Sequence, residues 1–176
     1  ATLQYLYVQN APSLSGLLCR GPLPKKSVLK GLSSLSNFAS GGSNFTQVHL
    51  ESLLASQNCL EELVLVETQV APEKWGLLGE LYKLRYLNVT GNKFDTKALA
   101  SWSNLKEMKA IVLDDTNADA DLVRLLGELP QLSSMLIGGC HFDTYDWDVA
   151  KVQQSLEVLS FRGSRLNTGW SSVLKK

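Results

Sequence analysis

Apolar and polar positions follow one eleven-residue pattern in this chain, and the pattern returns every 24 residues. No insertion or deletion interrupts the five regular copies, which begin at Leu60, Leu84, Met108, Leu132 and Leu156. Two looser copies begin near Leu3 and Leu35. A fixed period of this length predicts a solenoid, because one unit is too small to bury its own apolar face. The sequence therefore predicts a single domain over residues 1–176, built from about seven units.

Each copy begins with the pattern of a short strand that ends in a tight turn. Positions 4 and 6 are apolar in every regular copy, and this alternation predicts a strand with one buried face. Position 9 is small or hydrogen-bonding, which suits a turn whose backbone groups would otherwise stay unpaired. Its occupants are Thr68, Asn92, Thr116, Cys140 and Ser164. Position 8 predicts a tight turn or a positive φ, because it holds Gly42, Gly91, Gly139 and Gly163.

The second half of each unit has the pattern of a short helix. Asp or Asn recurs at position 12, where a helix N-cap would lie, as Asp95, Asp119, Asp143 and Asn167. The unit from Leu60 has Ala71 and Pro72 at that place, and proline suits a first helical turn because its missing amide would be unpaired anyway. We expect core positions for the tryptophans of these halves, rather than exposed partner anchors: Trp75, Trp102, Trp147 and Trp170. Between the two looser copies, Pro12, Gly21, Pro22 and Pro24 predict a chain-reversing loop.

The pattern LxxLxLxx(N/T/C/S)x(L/F/V) resembles the leucine-rich-repeat family over nearly the whole chain. The resemblance implies an α/β fold, a right-handed solenoid or horseshoe with a concave parallel sheet and convex helices. It also implies that a ligand binds most often on the concave face. The Gly-x-Ile-Pro signature of the plant extracellular subtype and the cysteine-rich caps of secreted members are missing. The final unit stops at Lys176 before it closes, so we expect a segment of a longer protein, or ends covered by something else.

Side chains at positions 3, 5, 7 and 8 are predicted to point away from the core onto the concave sheet. The middle of this face is apolar, and charges flank it, which is typical of protein-binding patches. The alternative is that valine and leucine occur there for strand propensity alone. The candidate partner-binding residues are Tyr5, Tyr7, Glu62, Val64, Val66, Tyr86, Asn88, Val112, Asp114, Leu136 and Arg162.

One stretch has the composition of a catalytic or metal-binding cluster, Cys140-His141 followed by Asp143. Cys140 falls at position 9, so a turn role explains it, and adjacent side chains diverge too far to share a metal. His49, the other histidine, lies about four units away along the predicted solenoid. The glycine pairs are not followed by the Gly-Lys-Ser/Thr of a phosphate loop. We therefore predict no catalytic residue, no cofactor and no metal.

Charge and cysteine content restrict the partners and the compartment. Seventeen basic residues balance seventeen acidic ones, so no net field favours nucleic acid or an anionic membrane. No apolar run approaches the roughly 20 residues that span a bilayer. An odd count of three cysteines favours a reducing compartment, whereas Asn44-Phe-Thr46 and Asn88-Val-Thr90 match glycosylation acceptors. The resulting prediction is a cytoplasmic protein, monomeric or part of a larger chain.

These observations predict a non-catalytic protein-protein interaction module that binds a protein or peptide through its concave face. Two alternatives stay open. One is an extracellular ligand-recognition domain of a receptor. The other is the substrate-recruiting or regulatory part of a larger enzyme, such as a ubiquitin ligase or a GTPase-activating protein. The identity of the partner lies outside what the sequence specifies.

Overall fold

The computed structural model describes residues 7–9, 14–22, 28–30, 32–55, 59–142 and 156–166. Eleven strands and four short helices occur in these ranges. The strands are β1 Tyr7–Gln9, β2 Gly16–Pro22, β3 Val28–Lys30, β4 Asn37–Gly41, β5 Glu62–Val66, β6 Tyr86–Asn88, β7 Ala110–Val112, β8 Ser134–Leu136, β9 His141–Phe142, β10 Val158–Ser160 and β11 Arg165–Leu166. The α-helices are α1 Gln47–Leu54 and α2 Ala120–Gly127, and the 3₁₀ helices are Pro72–Glu80 and Thr96–Asn104.

Seven of these strands form one open parallel sheet in the order β2-β4-β5-β6-β7-β8-β10. Consecutive units are neighbours in this sheet, and equivalent positions pair: Leu63 lies opposite Leu87, and Leu87 lies opposite Ile111. Two smaller parallel pairs, β1 with β3 and β9 with β11, complete the described strands. A repeat that returns in register therefore produces strands that pair in register.

The predicted strand alternation is confirmed. In β5 the side chains of Leu63 and Leu65 are fully buried, while those of Val64 and Val66 are partly exposed to solvent. The same alternation occurs in β4. One face of the sheet is thus the core face. We call the other the open face, formed by the described side chains at positions 3, 5 and 7 of the seven units.

The helices close the core on the side opposite the open face. Trp75 and Trp102 are fully buried, and both contact the ring of Phe94 edge-on, at centroid distances of 5.4 and 5.8 Å. Their predicted core role is confirmed, and Trp147 and Trp170 lie outside the described residues. The two units that carry them use 3₁₀ rather than α geometry, over nine residues each.

The predicted helix starts agree with the structure where it can be compared. The Asp95 side chain accepts a hydrogen bond from the Lys97 amide, and the Asp119 side chain accepts one from the Leu122 amide at 2.8 Å. Pro72 occupies the first turn of its 3₁₀ helix. Asp143 and Asn167 lie outside the described residues. These caps satisfy amides that the first helical turn leaves unpaired.

The N-terminal units differ from the prediction. The first strand of the main sheet is β2, whose Gly16 pairs with Asn37, so its unit begins at Leu14 and not near Leu3. The predicted loop between Leu3 and Leu35 is wrong, because β2 and β3 occupy much of it. Equivalent residues here are 21 apart, as the pairing of Tyr7 with Val28 shows. A strand rises about 3.3 Å per residue against about 1.5 Å for an α-helix, so a unit with a second strand is shorter.

The described helices are short. None of them is long and apolar enough to cross a bilayer. The longest span nine residues, against roughly 20 for a transmembrane helix.

Candidate protein-binding face

The turn after each strand places position 8 in the left-handed region. The glycines predicted to adopt a positive φ do so, with Gly42 at 84° and Gly91 at 73° as examples. Glu67 and Asp115 occupy the same position in two other units and also have positive φ, at 51° and 56°. Two carboxylates are therefore held at the carboxyl end of the sheet, in a conformation that non-glycine residues rarely adopt.

The position-9 side chains hydrogen-bond backbone groups of the turns, as predicted, and some of these groups belong to a neighbouring unit. The Asn92 amide donates to the carbonyl oxygens of Leu65 at 2.7 Å and Val89 at 2.8 Å. The Thr116 hydroxyl donates to Leu113 O at 2.7 Å. The Cys140 thiol is buried and faces the same Leu113 oxygen at 3.4 Å. Cys140 is thus a turn residue, with no access to a substrate.

The histidines do not combine with this cysteine. His141 is exposed, whereas His49 is buried on α1, where its Nδ1 accepts a hydrogen bond from the Thr46 amide at 3.1 Å. Asp143 lies outside the described residues. Within the ranges that the structure covers, no group of three His, Cys, Asp or Glu side chains is placed to hold a metal ion.

Most of the predicted partner-binding residues lie on or beside the open face. Glu62 and Arg162 are exposed. The partly exposed residues are Val64, Val66, Tyr86, Asn88, Asp114 and Leu136. Strand pairing places Tyr86 beside Glu62 on β5, and it places Leu136 next to Ser160 at the far side of the sheet. The sheet thus presents an apolar surface with charges around it.

Val112 is a correction to the predicted surface. Its side chain points to the open face but keeps only 9% of its accessible surface. Asn88 and Leu136 lie opposite it on the two neighbouring strands. Sequence position indicates the direction of a side chain, whereas neighbours on adjacent strands decide its exposure. Val112 therefore supports the face rather than contacting a partner directly.

Of the two predicted N-terminal tyrosines, the structure describes the backbone of Tyr7, which is not in the main sheet. Tyr5 lies outside the described residues. Tyr7 is in β1, which pairs with β3 in a separate two-stranded sheet. Position 5 of the first main strand is Leu18, which is 62% exposed. The signal for it was present as Leu14-x-x-Leu17-x-Cys19, which repeats positions 1, 4 and 6 of the pattern.

Two recesses interrupt the open face. One, of about 290 Å³, lies over β2, β4 and β5 and is lined by Leu18, Ala39, Glu62 and Val64 among others. The second, of about 540 Å³, lies at the end of β8 and β10. It brings together three predicted residues, Asp114, Leu136 and Arg162. Asp114 Oδ1 accepts the Gly138 amide at 2.5 Å, so this carboxylate is anchored across two units.

Comparison with known proteins finds similar solved structures but no matching family or curated protein. A scan against protein-family models finds no match, and neither does a search of curated proteins. Among solved structures, the chain matches an internalin from Listeria monocytogenes with a TM-score of 0.46 and 13% sequence identity. The match covers 80% of this chain and 46% of the internalin chain.

Proposed function

We propose that this chain is a right-handed leucine-rich-repeat solenoid that acts as a non-catalytic interaction module and binds a protein or peptide. In such a solenoid the open face is the concave one. The observation that carries the proposal is the exposed apolar surface on that face, where Leu18 is 62% and Val158 48% exposed at opposite ends of the sheet. Between these ends Val64, Tyr86 and Leu136 keep part of their surface. Burying such a surface favours association.

Rigidity supports the same proposal. The open face is built on strands whose backbones are hydrogen-bonded to neighbours on both sides, from β4 through β8. A surface that is already ordered loses little conformational entropy on binding, so more of the contact free energy appears as affinity. Charged residues around the apolar centre, Glu62 and Arg162 among them, would give orientation and specificity.

A pull-down with wild-type chain and the double variant Tyr86→Ala, Leu136→Arg tests this proposal. We expect loss of the captured partner with a nearly unchanged melting temperature, because both side chains point away from the core. The matched control is Tyr82→Ala, Val48→Arg, which alters two residues that are 54% and 63% exposed outside the open face. Retention by the open-face variant, or loss from the control alone, would place the interaction elsewhere.

We also propose an intracellular location. Its support is that Cys19, Cys59 and Cys140 are all free thiols in the structure. The Asn88 acceptor lies on the open face, where its Oδ1 accepts hydrogen bonds from the Thr90 amide at 3.0 Å and hydroxyl at 2.7 Å. A glycan there would cover the proposed binding surface. Mass spectrometry of the protein from its native cells should show unmodified Asn44 and Asn88, and a glycan on either would favour the extracellular alternative.

A further inference from the structure

The recess over the first three strands of the main sheet is a trough with a defined floor and two walls. Leu18, Ala39 and Val64 pair in register on β2, β4 and β5, so the short Ala39 side chain lies between two larger ones. The outer strands are about 10 Å apart, twice the spacing of neighbouring strands. Gly16, in the next row of the same face, adds no side chain and leaves the trough open there. An unbranched aliphatic chain fits a trough of this width.

A carboxylate lies at the rim of this trough. Glu62 is exposed, lines the recess, and is two residues before Val64 on the same face of β5. Its sequence neighbour Glu61 pairs with Arg85 at 3.0 Å, and Arg85 also pairs with Glu107 at 3.2 Å. In the part of the chain that the structure covers, no ammonium or guanidinium group pairs with Glu62.

The described charges of the open face are mostly acidic. Among the residues whose side chains the structure describes, the open face and its position-8 turns carry four carboxylates, Glu62, Glu67, Asp114 and Asp115, and one guanidinium, Arg162. Arg162 follows β10, four strands from β5 and about 19 Å away across the sheet. That distance exceeds the screening length of about 8 Å at physiological salt, so Arg162 does not offset the charge of Glu62.

We infer that this trough recognises a lysine or arginine side chain of the partner. The inference rests on the proposed function and names the partner chemistry at one end of the face. The aliphatic stem would lie on Ala39 between Leu18 and Val64, and the cationic head would pair with the Glu62 carboxylate. A purely apolar side chain would desolvate Glu62 without giving it a partner, and an acidic one would be repelled.

Selection from a phage-displayed library of random seven-residue peptides on the intact chain tests the inference. We expect peptides enriched in Lys or Arg beside an apolar residue. Glu62→Lys should weaken the best of these peptides by about tenfold, and replacing the peptide's lysine with norleucine should have a similar effect on the wild type. Glu80→Lys is the matched control, since it makes the same charge change at an exposed residue outside the open face. All variants are checked for unchanged melting temperature.

The outcomes separate this inference from the proposed function. Two results would overturn the trough assignment alone. In the first, the selected peptides lose binding to the Tyr86→Ala, Leu136→Arg variant but are not enriched in Lys or Arg. In the second, the peptides bind Glu62→Lys as tightly as they bind Glu80→Lys. Two other results would count against both the proposed function and the inference. One is that the selected peptides bind the double variant as tightly as they bind the wild type, and the other is that no peptide is selected.

Discussion

Asn92 and Thr68 occupy the same position of consecutive units, and the side chain of one fixes the backbone of the other. Asn92 Oδ1 accepts hydrogen bonds from the Thr68 amide at 2.9 Å and from the Thr68 hydroxyl at 2.7 Å. One amide side chain therefore holds the turn of the preceding unit while it also satisfies carbonyl oxygens in its own. The stacking of units depends on this link as well as on apolar packing.

The same link recurs near the end of the described chain with a smaller side chain. Ser164 Oγ donates to Ile137 O at 2.6 Å and accepts the Cys140 amide at 3.1 Å. Position 9 thus needs a side chain that can reach the unit before it, and several residue types meet that need. This requirement accounts for the mixture of Thr, Asn, Cys and Ser in one column.

Removing the Asn92 amide should destabilise the fold. Asn92→Ala leaves buried carbonyl and amide groups without partners, and we expect the free energy of unfolding to fall by about 2–4 kcal/mol. Urea titration followed by circular dichroism measures it. Asn104→Ala, at the exposed end of the second 3₁₀ helix, is the control and should change stability by less than about 0.5 kcal/mol. Equal effects of the two changes would contradict the structural role of Asn92.

A methyl group at Gly79 should be more harmful than one at Gly16. A Cβ on Gly79 would overlap the backbone oxygen and the Cβ of Ser101, where the two 3₁₀ helices meet. We expect Gly79→Ala to cost about 1–3 kcal/mol. Gly16→Ala meets nothing within 4 Å and should be neutral or slightly stabilising. Thermal melting of both variants decides the comparison, and equal midpoints would show that the helices have room to separate.

Introducing aspartate at two adjacent positions of β6 should test which face is the core. Leu87 is fully buried, so Leu87→Asp places an unpaired charge in the core and should abolish folding at 25 °C. Tyr86→Asp introduces the same charge on the open face and should leave a cooperative unfolding transition. One-dimensional proton NMR distinguishes folded from unfolded chain. A folded Leu87→Asp variant would overturn the assigned direction of β6.

Thiol labelling should follow burial. Burial raises the pKa of the Cys19 thiol above its ordinary value of 9.0, so less of it is thiolate at pH 8 than in the unfolded chain. We expect Cys19 to be alkylated more slowly in the folded protein than in the unfolded chain. This difference in rate should shrink as the pH rises above the ordinary thiol pKa of 9.0. Cys140 should react only on unfolding, because it is buried. Mass spectrometry of peptides after timed labelling gives the rates, and equally fast Cys19 labelling with and without urea would be the contrary result.

The raised pKa of Cys19 also fixes the sign of one contribution to stability. The folded chain holds this proton more tightly than the unfolded chain does, so the contribution is complete below the ordinary thiol range and is lost as the pH rises through the raised value. Comparing wild type with Cys19→Ser should show a smaller loss of stability above pH 9 in the variant. An identical pH dependence would assign that loss to other groups.

Much of the regular part of this protein could be predicted from its sequence. Three features each follow from the repeating columns: the alternation at Leu63 and Leu65, the positive φ of Gly91 and the hydrogen bond of Asn92 to the backbone of its own turn. Such features depend on local geometry: side chains alternate in a strand, and a tight turn needs glycine or a hydrogen-bonding side chain. The candidate face could be predicted from the same alternation, because its residues are the strand positions whose side chains point away from the core.

The sequence by itself determined the period, the buried columns and the direction in which each side chain of the regular units points. Only the tertiary structure placed Leu14 rather than Leu3 at the start of the first main unit, because pairing with β4 selects the register there. Only the tertiary structure showed that Val112 is covered and that Ala39 lies between Leu18 and Val64. Exposure and shape depend on residues about 24 positions away in sequence that lie on the next strand, about 4.8 Å away, and a local pattern carries no information about such a neighbour.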